Sequence, residues 1–152
     1  MNSLEEVIEK SLSEFDAYYA KRNLKSSKII TIKDNRDNIV GFTELKVYKP
    51  VGIIFYIGVL PAYRGRGYGK RLLEEAEAYF MSKGLDYILA STRRYNKQAL
   101  GLFRRYKRFD IDSVSDDVIY LLDAYDDDII LCREINGAKV PCEVLIKDLK
   151  IR

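Results

Sequence analysis

Val59-Leu60-Pro61-Ala62-Tyr63-Arg64-Gly65-Arg66-Gly67-Tyr68-Gly69-Lys70-Arg71-Leu72-Leu73 passes from an apolar run through three alternate glycines into an amphipathic run. Before it, Ile53, Ile54, Phe55 and Ile57 join Val59 in the near-continuous apolar pattern of a strand buried on both faces. Pro61 ends that strand. After it, Leu72, Leu73, Ala76 and Phe80 recur at helical spacing, and Gly84 stands where a helix-ending glycine belongs. Glycines without Cβ atoms let the backbone curl until successive N–H groups face one point. The helix start directs its own N–H groups and partial positive charge to the same place. Arg64, Arg66, Lys70 and Arg71 add cations, so the segment reads as a cradle for a pyrophosphate. Spacing excludes two commoner phosphate motifs. Arg64 and Arg71 stand where a P-loop needs glycine and Ser/Thr, and Lys70 replaces the last glycine of a dinucleotide fingerprint.

Upstream, Ser3-x-x-Glu6 is a capping box that opens a helix. Leu4, Val7, Ile8, Leu12, Phe15 and Tyr19 carry helical spacing to about Asn23. Residues 28–33 read as a β-branched strand, 34–38 as a turn, and 39–48 and 52–60 as two further strands. The central helix is expected over 68–83, a strand over 87–91, a second amphipathic helix over 97–106 and a strand over 109–114. A short helix is expected within 116–125. Residues 128–135 and 139–146 flank Asn136-Gly137, a strong hairpin signal. This order predicts an α/β (α+β) fold with a mixed sheet. One domain is expected over residues 1–152, with 136–152 as a C-terminal hairpin extension.

The chain has 152 residues, 47% hydrophobic and 32% charged, which suits one continuous core. No long apolar run or basic leader stands at its start, so the expectation is a cytoplasmic protein without a membrane contact. Histidine is absent. That excludes a Ser-His-Asp triad, a Cys-His pair and a His-ligated metal. The aspartates 116, 117, 126, 127 and 128 match no ligand spacing, so no metal is expected. Cys132 and Cys142 flank the hairpin turn and could pair across it; the simpler expectation is two small buried apolar residues.

Arg64-Gly65-Arg66-Gly67-Tyr68-Gly69 resembles the Arg/Gln-x-x-Gly-x-Gly/Ala signature of the GNAT superfamily of N-acetyltransferases. The lead-in Val59–Tyr63 is similar to that family's. Asn96, Ala99, Leu100, Leu102 and Phe103 resemble its Asn-x-x-Ala-x-x-x-Tyr helix, and residues 127–135 its closing strand. The resemblance implies a mostly antiparallel sheet with a splayed strand pair, and acetyl-CoA as cofactor. Backbone groups of Ile57, Gly58 and Val59 would pair with the pantetheine arm, one N–H polarising the thioester carbonyl. Amides of Gly65, Arg66, Gly67, Tyr68, Gly69 and Lys70, beside Arg64, would hold the pyrophosphate. Asn96 and Phe103 would contact the cofactor from the second helix.

This chain departs from the family in two places. Phe103 stands where the family often has a Tyr general acid; Phe cannot donate a proton, and Tyr106, one turn later, could substitute. Ser91-Thr92-Arg93-Arg94-Tyr95-Asn96 is similar to the Glu-Val-Arg-x-x-Asn of the protein N-terminal branch but has Ser91 for the glutamate. The implied reaction is direct attack of a primary amine in a ternary complex. Without a His partner the cysteines are poor nucleophiles. Glu44 is the candidate base; its plainer reading is a solvent-facing carboxylate. The acceptor could be a small molecule or a peptide. Two other readings stay open: a non-catalytic acyl-CoA sensor, and a single-stranded nucleic-acid binder using the basic and aromatic residues of 64–71 and 93–108. The net charge of +3 does not favour nucleic acid. The hairpin past Ile135 could provide an edge strand for a homodimer.

Overall fold

The computed structural model describes residues 3–94, 96–122 and 142–150. Two helices form where one was expected, α1 (Leu4–Ser11) and α2 (Glu14–Arg22). Ser3 Oγ accepts from the Glu6 N–H at 3.2 Å and caps α1. Leu12 then turns extended, and Ser13 Oγ accepts from the Asp16 N–H at 3.2 Å to start α2. A serine able to cap a new helix breaks the apolar periodicity that ran through it. The strands β1 (Lys28–Lys33), β2 (Ile39–Tyr48) and β3 (Val51–Val59) follow, then α3 (Tyr68–Ser82). Next come β4 (Tyr87–Arg93), α4 (Lys97–Leu102), β5 (Lys107–Asp110), α5 (Asp116–Leu122) and β6 (Cys142–Asp148). The fold is mixed α/β. Its six strands are ordered β1-β2-β3-β4-β6-β5, with β1/β2, β4/β6 and β5/β6 antiparallel.

The chain divides into two compact units, Met1–Lys46 with Ile54–Lys83, and Val47–Ile53 with Gly84–Arg152. In the first, Val7 and Ile8 of α1, Ala17 and Ala20 of α2, Ile32, Val40, Phe42, Tyr56 and Leu72 form one core cluster. Val7, Ile8, Val40, Phe42 and Leu72 are fully buried, each stabilising by about 1.5–3 kcal/mol. Two glycines let backbone approach closely here. A Cβ on Gly41 would sit 2.9 Å from Gly58 O, and one on Gly58 would sit 2.4 Å from Ser11 Oγ and 2.7 Å from Phe42 Cε1. The turn between β1 and β2 is closed by Asp34 N–H donating to Asn38 O at 2.9 Å.

In the second unit β6 runs antiparallel to both β4 and β5, Ala90 and Arg108 each opposite Leu145. β6 is therefore an interior strand, so this part of the chain past Ile135 is not the edge expected for a dimer. The other half of the expected hairpin, with Asn136-Gly137, lies outside the described residues, as do residues 126–128 and the closing strand 127–135. Cys142 is fully buried, as expected of a small apolar residue, and is disulfide-bonded; Cys132 lies outside the described residues. Helix α4 stops at Leu102 rather than 106, and β5 begins at Lys107 rather than 109. Glu143, 8% exposed, gathers two arginines: Arg94 Nε donates to its Oε1 at 3.0 Å and Arg108 Nη2 at 3.3 Å. Arg94 Nη2 also donates to Asp110 Oδ2 at 2.7 Å.

Candidate functional site

The glycine loop lies in the first unit, and its turning is carried by two left-handed residues. Gly65 has φ 78° and Gly67 φ 86°, values an L side chain rarely adopts. A Cβ on either would meet nothing within 4 Å, so backbone geometry, not space, requires glycine there. Gly67 is the residue before α3, and its carbonyl accepts the Arg71 N–H at 3.1 Å. The N–H groups of Tyr68, Gly69 and Lys70 precede that first helical bond and have no intrahelical partner. They open from the end of a 15-residue helix whose dipole favours an anion. Arg64, Gly65, Arg66, Gly67 and Lys70 are exposed, so an anion can reach them.

Side chains fasten this loop to its surroundings. Arg64, expected to face the anion, gives two of its guanidinium N–H groups to backbone carbonyls. Nε donates to Val59 O at 3.1 Å and Nη2 to Ser11 O at 3.0 Å. Arg64 thus ties the end of β3 to the end of α1. Tyr63 Oη donates to Asp34 Oδ2 at 2.9 Å. Arg66 Cζ lies 5.3 Å from the centre of the Tyr63 ring, and Arg71 Cζ 5.8 Å from that of Tyr68. Asp34 is held below its usual carboxylate range, first by the Asn38 N–H it accepts, with help from the Tyr63 phenol and the Arg36 N–H. Tyr63 is pushed above its usual value, first by donating to Asp34 and then by that carboxylate's charge.

Along β3, Gly58 is buried while Ile57 and Val59 are half-buried, and Thr43 Oγ1 donates to Tyr56 O at 2.8 Å. Glu44 is fully buried, not solvent-facing, and its Oε1 accepts from Ser27 Oγ at 3.2 Å. In the second unit Asn96 is exposed, and its Oδ1 accepts from the Ala99 N–H at 3.1 Å, capping α4. Phe103 ends that helix as its C-cap. Tyr106 lies past the helix, in the turn before β5, so it is not a helical turn beyond Phe103. The two rings still meet edge to face, 5.0 Å apart at 81°, both nearly buried. Lys147 Nζ approaches the Tyr106 ring to 5.8 Å. The structure therefore brings together the loop residues and, separately, Phe103 with Tyr106. Sequence reading missed the roles of Asp34 and Ser11. Both act through contacts distant in sequence, and only the turn composition around Asp34 gave any sign.

Three arginines of the basic stretches are engaged internally. Arg94 and Arg108 pair with carboxylates, and Arg64 with carbonyls. No helix among the described residues is long and apolar enough to cross a membrane.

Residues 2–107 match the family model described as Acetyltransferase (GNAT) family. A mycothiol acetyltransferase from Renibacterium salmoninarum is 25% identical over 114 residues, 70% of this chain and 34% of that protein. The chain spans between about a quarter and a third of the length of the curated relatives it matches. A Bacillus subtilis acetyltransferase in complex with CoA superposes with a TM-score of 0.69 at 21% identity, covering 98% of this chain and 95% of that one. A GNAT family acetyltransferase from Elizabethkingia anophelis with acetyl-CoA bound gives 0.67 at 17% identity, covering 98% and 92%.

Proposed function

Since the chain belongs to the acetyltransferase (GNAT) family, we propose that it is an acetyl-CoA-dependent N-acetyltransferase acting on a primary amine. One observation carries this reading. Two left-handed glycines turn a buried strand into a long helix and leave its first amides open beside exposed cations. That arrangement suits the pyrophosphate of coenzyme A and leaves the strand end at Ile57–Val59 as the path for the pantetheine arm. Two of the superposable acetyltransferases hold CoA or acetyl-CoA.

Acetyl-CoA supplies an activated acyl group when bound. The protein has to bind its phosphates, orient the thioester and handle two protons, one leaving nitrogen and one reaching sulfur. Amides of Gly65 to Lys70 take the pyrophosphate, with Arg66 and Lys70 as the cations left to meet it. A β3 N–H between Ile57 and Val59 polarises the acyl carbonyl. The amine must lose its proton before attack, because an ammonium near pKa ~10 has no lone pair to give. Glu44 is the base we assign, reached through its Ser27 hydrogen bond. Tyr106 is the phenol we assign to the departing thiolate, in place of the family tyrosine that Phe103 replaces. Asn96 serves first as a helix cap, and any contact with the cofactor is made by what that cap leaves over.

Thermal melting with coenzyme A tests the binding half. At a hundredfold excess over Kd, mass action adds about 2.7 kcal/mol, which raises Tm by about 5–10 °C. A thiol-release screen over small-molecule and peptide amines tests the chemistry. No change of Tm refutes the reading. Binding without turnover on any amine makes the chain an acyl-CoA sensor instead.

A further inference from the structure

Resting on the acetyltransferase reading, we propose that Asp34 is a positioning residue: through Tyr63 it locks the phosphate loop from the turn between β1 and β2, and so holds Arg66 ready for the coenzyme's anionic groups. The lock begins in the turn. Asp34 Oδ1 accepts from the Arg36 N–H at 2.9 Å and the Asn38 N–H at 3.0 Å. These two bonds fix the carboxylate and leave Oδ2 aimed at the Tyr63 hydroxyl, 2.9 Å away. Tyr63 closes the short turn Pro61–Tyr63, with its N–H donating to Leu60 O at 2.8 Å, and Arg64 follows directly. Its ring meets two loop residues: Arg66 Cζ at 5.3 Å, within cation–π range, and the Tyr68 ring at 6.0 Å and 72°.

The consequence concerns binding. An exposed arginine captures a phosphate only after its flexible stem has been ordered. A guanidinium already resting on a ring held in place has less freedom to lose. The ring cannot swing away because its hydroxyl is tethered to Asp34. Together with the Arg64 bonds to Val59 O and Ser11 O, this fastens the loop at two adjacent residues to two different parts of the unit. Asp34 is lowered first by the Asn38 N–H and further by the Tyr63 phenol, and Tyr63 is raised first by donating to that carboxylate.

Coenzyme A titration calorimetry and steady-state kinetics, run well below the Tm of each variant, test the lock. Tyr63→Phe keeps the ring but cuts the tether, and should weaken coenzyme A binding roughly three- to tenfold. Its kcat at saturating donor and its KM for the amine should stay as in the wild type. Arg66→Ala in the Tyr63→Phe background should lose less than it does alone, because both act through one pre-ordered cation. Asp34→Asn, which keeps a turn acceptor, probes the same contact should Tyr63→Phe fail to fold; its affinity should fall in the same direction. A lower Tm with unchanged coenzyme A affinity in both tether variants overturns the proposal, as does full additivity with Arg66→Ala. A wild-type protein that ignores coenzyme A overturns the acetyltransferase reading and the lock with it.

Discussion

Gly67 sits at φ 86° with open space where a Cβ would go. Gly67→Ala therefore meets no clash and suffers only the left-handed penalty, about 1–2 kcal/mol. That predicts a Tm lower by about 2–8 °C, together with weaker coenzyme A binding as the amides relax away from their common focus. Gly67→Asn should recover part of both, because Asn tolerates this region better than Ala. Calorimetry of the three proteins checks the order Gly, Asn, Ala. The Asp34–Tyr63 bond makes a second prediction, in pH. Asp34 titrates below its ordinary 3.8 in the folded state, so its contribution is complete above that value and lost as pH falls through the folded one. Tyr63 titrates above its ordinary 10.0, so its contribution is complete below that value and lost as pH rises through the folded one. The Tm difference between wild type and Tyr63→Phe should be flat across the middle of the pH range. It should shrink below about pH 4 and above about pH 10. A difference that keeps growing at either end contradicts the assignment.

At the scale of elements, β3 depends on the missing side chain of Gly58. An added methyl would meet Ser11 Oγ and the Phe42 ring; the hydroxyl can rotate, but Phe42 is fully buried and cannot. Gly58→Ala should cost about 1–3 kcal/mol by overpacking, read as a lower denaturation midpoint with unchanged m-value. Gly58 also shows what was legible. A glycine inside an apolar strand signals close backbone approach, and β1, β2, β3 and α3 all emerged from periodicity within a residue of their expected bounds. Three readings failed for identifiable reasons. Helical spacing ran through Leu12 and hid the second cap at Ser13. Aromatic residues beyond Gly101 imitated a longer α4. Strand β5 has all four residues exposed, so it carries no apolar alternation to read; pairing with β6 and the Arg94–Asp110–Glu143–Arg108 ion pairs hold it instead. The phosphate loop was legible because its glycines and cations are contiguous. Its anchors, Asp34 and Ser11, were not, because they lie 29 and 53 residues from their partners.

For the whole molecule, the question is which polyanion its cations can still serve. A net charge of +3 gives little long-range pull on nucleic acid. Of the clustered arginines, Arg94 and Arg108 answer Glu143 and Asp110, and Arg94 is held above its usual range first by Asp110 and then by Glu143. Arg64 answers two carbonyls. Arg66, Lys70, Arg71, Lys97, Arg104, Arg105 and Lys107 stay exposed, so it is the low net charge and the loss of these three arginines that speak against an extended strand, and binding to one should be weak at moderate salt. A compact diphosphate asks for less: it needs converging amides and one or two nearby cations, and the loop has both. Coenzyme A should therefore raise Tm at physiological salt, while a single-stranded oligonucleotide of equal phosphate concentration should leave it unchanged. Raising salt should barely alter the coenzyme A shift, since the amide contacts carry much of it and do not depend on counterion release. An oligonucleotide shift larger than that of coenzyme A, collapsing steeply with salt, would instead mean that the arginines leave their carboxylates and that the surface, not the loop, is the site.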